Sequence, residues 1–403
     1  MIPSIRTLQV RNYRSIAEAW VSLEPFTALV GPNGSGKSNT IDALAFVQES
    51  LSESVEGAFR TRGGISAVRH GGRSAGKPGR VKISLNLDLG EDVSADYAFE
   101  IVVTPPEEGF SVARETCVVA KTMGFRHAFE VRYGKFVKEV PGIRPKLAPN
   151  RLALFAASDT DEFRPVYDFL SSMRFYSIVS AQVRELQQPD SGAFLKRDGS
   201  NAAAVLKRLQ DEPGNGQRYE RLCRLLARVV AGVQKVRYRS VGHKETLQFE
   251  QDVGFKRPRS FDALNMSDGT LRVLGLLLAV YQPGNPRLVA IEEPEGTVHP
   301  AVTELMVQVL MDAASERQIL IATHSPDMLD YKELKDTHIR VVTMERGQTL
   351  IAPVSESSRQ AIRESLYTPG ELLRSGELTP DVTAAKRNAS QLSFWPSSSS
   401  RRA

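Results

Sequence analysis

Only two cysteines occur among the 403 residues, Cys117 and Cys223, and neither belongs to a C-x-x-C pair or a Cys/His group. That spacing excludes a disulfide scaffold and a zinc ribbon, and it fits a reducing cytoplasm. Membrane-spanning segments are missing as well. The apolar stretch Leu271–Val280 is too short to cross a bilayer, and Met1–Arg14 carries charge from Arg6 onward with no secretory apolar block. A soluble, cytoplasmic chain without membrane contact is expected. No strong charge of one sign is present, because 52 Lys and Arg stand against 47 Asp and Glu; a net charge of +5 defines no partner by itself. Sustained heptads are absent between 39 and 266, which excludes a long coiled-coil arm. Apolar residues make up 41%, enough for a large core, and the length allows two or three domains or one α/β body with insertions.

Acidic residues are also missing from Arg60–Arg80, where Arg60, Arg62, Arg69, His70, Arg73, Lys77 and Arg80 are interleaved with six glycines. Such a loop can follow the phosphates of nucleic acid or of a bound nucleotide, and a solvated basic surface is the alternative. A second cluster comprises Lys235, Arg237, Arg239 and Lys244 and continues to Lys256, Arg257 and Arg259.

What is present begins with Gly31–Ser38, Gly-Pro-Asn-Gly-Ser-Gly-Lys-Ser, which fits G-x-x-x-x-G-K-[ST]. It follows the apolar strand pattern Phe26–Val30 and precedes a helical pattern from Ser38 to Val47. In that setting the backbone of Asn33, Gly34, Ser35 and Gly36 can turn N–H groups toward phosphate oxygens. Lys37 reaches the β- and γ-phosphates, the Ser38 hydroxyl can ligate Mg²⁺, and Asn39 follows in the first helical turn. ATP and Mg²⁺ are therefore the expected ligands. Three further segments follow in order. Met266-Ser267-Asp268-Gly269-Thr270 opens a helix; Leu288–Ile291 is an apolar strand ending in Glu292-Glu293-Pro294-Glu295; Gln318–Ala322 is another, ending in Thr323-His324-Ser325-Pro326.

This order resembles the ATP-binding-cassette (ABC) ATPases. Val10-Arg11-Asn12-Tyr13-Arg14-Ser15-Ile16, the Glu-Glu-Pro-Glu tip with His299-Pro300 and the Thr-His-Ser-Pro segment are similar to RecF, to SMC heads and to the ATPase half of OLD nucleases. The likeness covers residues 1 to about 380 and points to stand-alone RecF/OLD-like AAA family ATPases. Transporter subunits fit less well, since Met-Ser-Asp-Gly-Thr stands where they carry Leu-Ser-Gly-Gly-Gln. The resemblance implies a homodimer closing head to tail on ATP, with Ser267 and Gly269 of one copy covering the other's nucleotide. It implies Glu293 as the acid polarising the attacking water, His324 as a γ-phosphate switch and Glu292 as the Mg²⁺ holder, where most relatives have Asp. It implies Arg14 as a phosphate contact, a surface ion pair being the alternative, and Gln182 as a metal-contacting Q-loop residue, with Gln187 or Gln188 as alternatives. A separate nuclease or toxin effector in anti-phage defence is the favoured role; direct DNA binding in repair and a slow ATP-clamped scaffold are the others.

The expected fold is an α/β ABC-type phosphate-loop ATPase head with an antiparallel β-subdomain and a helical lobe, without an arm. Residues 1–145 are expected to hold the phosphate loop and that subdomain, in which Val81, Ile83, Leu85, Leu87 and Leu89 share one face and Tyr97, Phe99, Ile101 and Val103 another. Residues 146–265 form the helical lobe with a short β hairpin, and Asn201 caps a helix over 202–209. Residues 266–380 carry the signature helix, the acids and His324, and 381–403 read as a disordered tail. The stretch after His324 is expected to be too short for a TOPRIM nuclease.

Overall fold

The computed structural model describes residues 2–71, 79–104, 109–122, 124–138, 148, 150–296, 298–391 and 393–395. It divides into two compact units that do not follow the expected segments. One comprises Met1–Met173, Ser315–Gln318 and Lys335–Ala403, the other Arg174–Ala314 and Ile319–Leu334. The sequence-based borders fail because the chain leaves the first unit and returns to it, which no local composition shift marks.

The first unit is built on an antiparallel sheet of seven strands, in the spatial order Ile16–Ser22, Ser4–Tyr13, Arg80–Gly90, Val93–Thr104, Gly109–Lys121, Arg126–Arg132, Lys135–Lys138. The predicted alternation holds at Val81, Ile83, Leu85 and Leu87, which are buried between the half-buried Lys82, Ser84 and Asn86, whereas from Tyr97 to Val103 every residue is buried and no alternation survives. In the first of these runs it lapses at Leu89, where the register shifts between Asp88 and Gly90. Phe26–Val30 is buried at every residue and pairs in parallel with Ile339–Glu345, which pairs antiparallel with Gln348–Pro353. From Phe26–Val30 the chain runs through the glycine-rich loop into the helix Lys37–Ser52.

Two buried polar side chains brace this unit. Gln318 Oε1 accepts the Ile5 N–H at 2.8 Å while its Nε2 donates to the Ile5 carbonyl at 2.8 Å, closing a two-bond clasp on the N-terminal strand. The fully buried Glu115 accepts the N–H groups of Ala153 and Leu154 at the start of the helix Ala153–Ala157, together with the Tyr97 hydroxyl. The tail expected to be disordered is instead helical over Val382–Gln391, and Phe394 beyond it is buried. Arg11 and Lys82 approach the Phe394 ring at 5.6 and 5.7 Å, and Arg114 lies 4.1 Å from the Trp395 ring. Two aromatics over cations outweigh the polar composition around them.

The second unit contains an antiparallel sheet of Val233–Val241, Lys244–Gln251 and Arg259–Asp262, and a set of strands in which Gln318–Thr323 lies beside Leu288–Glu292, itself parallel to Arg174–Tyr176. The last of these strands is only three residues long, too short for any periodicity. Around them pack the helices Ala202–Asp211, Gly216–Val229, Asp268–Tyr281 and Pro300–Ala313. Asn201 does not cap its helix through its side chain. It is buried and braces the preceding loop instead, accepting the Lys196 N–H and donating to Asp190 and the Phe194 carbonyl. Among the described residues no helix is long and apolar enough to cross a membrane.

Burial raises the Glu115 carboxyl to about 7, against the lowering effect of its three donors. The folded form therefore holds a proton that the unfolded chain releases, so this stabilisation is complete at low pH and fades as pH rises to about 7. Urea unfolding from pH ~5 to pH ~8 should show the wild type losing up to roughly 3 kcal/mol relative to Glu115→Gln, whose neutral amide does not titrate.

Candidate functional site

Candidate site residues occur in both units, and those of each unit form a group of their own. In the first unit the phosphate loop is shaped by close backbone approach. A Cβ at Gly31 would lie 2.0 Å from the Val342 carbonyl oxygen. One at Gly36 would lie 2.0 Å from Thr349 Oγ1, and Gly36 has φ +106. Thr349 Oγ1 donates to the Ser35 carbonyl at 3.0 Å and meets Ser15 Oγ at 2.6 Å, while Asn39 Nδ2 donates to Ser15 Oγ at 2.6 Å. Asn39 thus fixes the loop's support. Lys37 is buried, and its Nζ donates to the Gly31 and Pro32 carbonyls at 2.7 and 3.0 Å, which curls the ammonium back over the loop.

This cradle fits a nucleotide phosphate. The helix Lys37–Ser52 has no acidic residue in its first turn, so its N-terminal partial charge is not neutralised from within. The Ser35 hydroxyl is buried and has no hydrogen-bond partner among the described residues. Asn33, Gly34 and Ser38 are exposed, and nothing lies within 4 Å of a Cβ built on Gly34. Ser38 could thus hold Mg²⁺ and the loop N–H groups a phosphate.

Beneath the helix, Asp42 gathers three segments. Its carboxylate accepts the Tyr13 hydroxyl at 2.7 Å and pairs with Arg14 Nε at 2.8 Å and Arg62 Nε at 2.9 Å. Arg62 also pairs with Glu49 at 2.5 Å and lies over the Phe46 ring, leaving 4% of its side chain exposed. Burial, reinforced by Asp42, raises the Tyr13 phenol far above its ordinary value and keeps it a donor. Arg14 is accordingly ion-paired to the helix that carries the loop. Arg62 is a core residue, not the phosphate-tracking residue expected of a glycine-rich basic loop. His70 Nδ1 contacts the Arg14 carbonyl oxygen at 2.8 Å and Arg80 pairs with Glu100, while Arg73 and Lys77 lie outside the described residues.

In the second unit, Glu292 ends its strand and Glu293 turns with φ +48. The Glu293 N–H donates to the Ala322 carbonyl at 2.8 Å, and its own carbonyl accepts from Arg272 of the helix Asp268–Tyr281. Arg272 donates to the Ile178 carbonyl too, tying that helix to two loops. Burial lowers the Arg272 pKa, opposed by the nearby Glu295 and Glu293 carboxylates. His324 Nδ1 lies 2.6 Å from Glu293 Oε2 and 3.8 Å from Glu295 Oε1. Sequence alone puts Glu293 and His324 at the ends of two strands; that these strands are neighbours and the side chains in direct contact is not predictable from spacing. Glu292 instead pairs with Arg197 at 2.7 Å.

Ser267 caps the helix: its Oγ accepts the Thr270 N–H at 3.2 Å, and Gly269 lies in the first turn. Arg184 donates to the Met266 carbonyl and pairs with Asp268 at 2.7 Å, and Ser180 Oγ donates to the Asp268 carbonyl. Both belong to the helix Ser180–Arg184, where Gln182 is exposed. Gln187 is excluded as a free Q-loop residue. It is buried, its amide donates to the Gln182 and Val183 carbonyls, and its oxygen accepts the Ala203 N–H. Arg237 and Arg239 of the second basic cluster pair with Glu250 and Asp262.

Residues 26–111 and 155–330 match the family described as "AAA domain, putative AbiEii toxin, Type IV TA system". The OLD nuclease of Thermus scotoductus is 24% identical over 393 residues, covering 89% of this chain and 66% of that protein. The chromosome partition protein Smc of Mycolicibacterium paratuberculosis is 35% identical over 104 residues, 25% of this chain and 8% of its own length. RecF of Brucella abortus is 30% identical over 125 residues, 26% of this chain and 33% of its own. The chain therefore spans less than two thirds of each of these relatives. An Smc head bound to the C-winged helix domain of ScpA superposes with TM-score 0.51 at 14% identity, covering 88% of this chain and 99% of that one. The Pyrococcus furiosus Smc head with an extended coiled coil gives 0.52 at 14%, covering 91% and 100%. The fold is that of an ABC-type ATPase head related to SMC, RecF and OLD proteins, as the motif order implied.

Removing the Arg62 side chain would leave Asp42 and Glu49 without their shared partner. Arg62→Ala should lower stability by about 3–5 kcal/mol in chemical denaturation, whereas exposed Arg60→Ala should change it by less than about 0.5 kcal/mol.

Proposed function

Because the chain belongs to the family described as "AAA domain, putative AbiEii toxin, Type IV TA system", we propose that it binds and hydrolyses Mg·ATP, closes head to tail with a second copy on ATP, and thereby gates a separate effector. The observation that carries the reading is the phosphate loop, a glycine cradle with a buried unsatisfied hydroxyl and a helix N-terminus free of internal acid. Bound Mg²⁺ supplies charge neutralisation on the phosphates and a template for in-line attack. Lys37 swings from the Gly31 and Pro32 carbonyls onto phosphate oxygens, and Ser38 and Glu292 serve the metal, Glu292 after exchanging its Arg197 partner. Gln182 is the Q-loop residue, on the helix that holds the signature start.

Glu293 accepts the proton of the attacking water. His324 orients that carboxylate through Nδ1, so that Nε2 is the ring nitrogen turned to phosphate. Ser267 and Gly269 serve the opposite copy's nucleotide, for which the Ser267 hydroxyl has to leave Thr270. Arg14 acts on the loop through Asp42. Effector gating draws on the family's toxin description and on the OLD relative, whose name is that of a nuclease, and anti-phage defence is the setting proposed for it. Direct DNA binding is the weaker reading, since Arg62, Arg80, Arg237 and Arg239 are ion-paired.

Lys37→Ala should abolish ATP binding in titration calorimetry, because the loop loses its one side-chain cation at the phosphates; unchanged affinity would remove the premise.

Glu293→Gln should retain ATP binding, lose hydrolysis by at least about 100-fold and accumulate dimers on a sizing column with ATP. Adding Ser267→Arg should return those dimers to monomers. A Glu293→Gln enzyme that turns over normally, beside an inert Glu292→Gln, would reverse the two roles.

A further inference from the structure

We propose that Glu293, Glu295 and His324 form a binding site for a divalent transition-metal ion, Zn²⁺ or Mn²⁺, distinct from the Mg²⁺ that accompanies the nucleotide. One nitrogen and two carboxylate oxygens, one from each residue, lie within 4.8 Å of one another. An ion about 2.1 Å from each ligand holds its ligands roughly 3–3.5 Å apart, so the 2.6 and 3.8 Å separations need only small side-chain rotations to fit. The fold fixes the trio. Glu293 and Glu295 follow the strand Leu288–Glu292, His324 follows Gln318–Thr323, and the bond from Glu293 N–H to the Ala322 carbonyl holds the two strand ends together.

A second observation is independent of that clustering. Glu295 Oε2 is buried and has no hydrogen-bond partner among the described residues, although Oε1 accepts the Thr323 hydroxyl and the side chain is only 9% exposed. A buried carboxylate oxygen left unmet is costly, and a cation is the ligand that would satisfy it. Arg272 is attracted to both carboxylates, but one guanidinium against two carboxylates leaves the cluster anionic. The imidazole sets the choice of ion. Mg²⁺ and Ca²⁺ prefer all-oxygen shells, whereas a mixed nitrogen and carboxylate set suits Zn²⁺ and Mn²⁺. Thr323 is the outer partner that orients Glu295. Glu293 and His324 are 37% and 47% exposed, which gives the ion an entry path and leaves coordination positions for water.

The ion would occupy the Glu293 oxygen that receives the water proton, so transition metal would brake the enzyme; this consequence, unlike the binding itself, rests on the hydrolysis reading above. Zn²⁺ titrated calorimetrically into the nucleotide-free full-length chain should bind at one ion per chain. Affinity should fall at least about 10-fold in Glu295→Gln and in His324→Ala, each checked for folding by circular dichroism. Co²⁺ should give visible d–d bands with the wild type and lose them in both variants. Equal Zn²⁺ affinity in wild type and Glu295→Gln, or Co²⁺ bands surviving in both variants, would overturn the site. ATP turnover in Mg²⁺ is measured in parallel. Zn²⁺ binding lost in the variants with no wild-type turnover keeps the metal site and sinks the hydrolysis reading, while normal turnover without selective Zn²⁺ binding sinks the metal site alone.

Discussion

The first unit depends on one carboxylate. Asp42 sits inside the helix that leaves the phosphate loop, 7% exposed, and such a group is tolerated only with its charge matched. Tyr13 and Arg14 come from the turn between the first two strands, Arg62 from beyond the helix Val55–Arg60. Those three ligands fix the helix against the sheet, and the helix in turn fixes the loop whose backbone has to meet a polyanion. The glycines decide the loop's shape, and Asp42 decides its position within the unit.

How much of this was legible depends on the range of the signal. The loop, the signature start, the acidic tip and His324 were all readable because each is a short motif with its own strand or helix beside it. The buried face of Val81, Ile83, Leu85 and Leu87 was readable from period-two alternation, whereas Tyr97 to Val103 is buried at every residue and alternation marks only half of it. Arg62 was not readable, because its surroundings in sequence are glycine and charge, while its partners, Asp42 and Glu49, are a helix away. Gln187, an alternative to Gln182 in sequence, and Asn201 mislead for a related reason. A polar residue beside a helix start looks like a surface cap or a ligand, and only the fold shows that its amide is already consumed by buried backbone. The tail was misread because two aromatics, Phe394 and Trp395, outweigh a polar composition once the sheet offers Arg11, Lys82 and Arg114.

In the second unit the helix Asp268–Tyr281 does more than present Ser267. Through Arg272 it holds the carbonyls of Ile178 and Glu293, and its first turn is held in turn by Ser180 and Arg184. Any displacement of the signature start is therefore felt at the backbone of the proposed catalytic acid within the same unit. Such a linkage would give the proposed closure on a second copy a route to the proposed chemistry that needs no change in the core.

The backbone at Glu293 has a consequence for the protein as a material. With φ +48 this residue occupies a conformation that asparagine or glycine adopts with less strain, and an ordinary L side chain there costs on the order of 1 kcal/mol. A sequence optimised for folding alone would place glycine at that tip. The fold is thus slightly less stable than its own backbone permits, and random mutagenesis screened only for thermal resistance would drift toward chains that stand up better and have lost their acid.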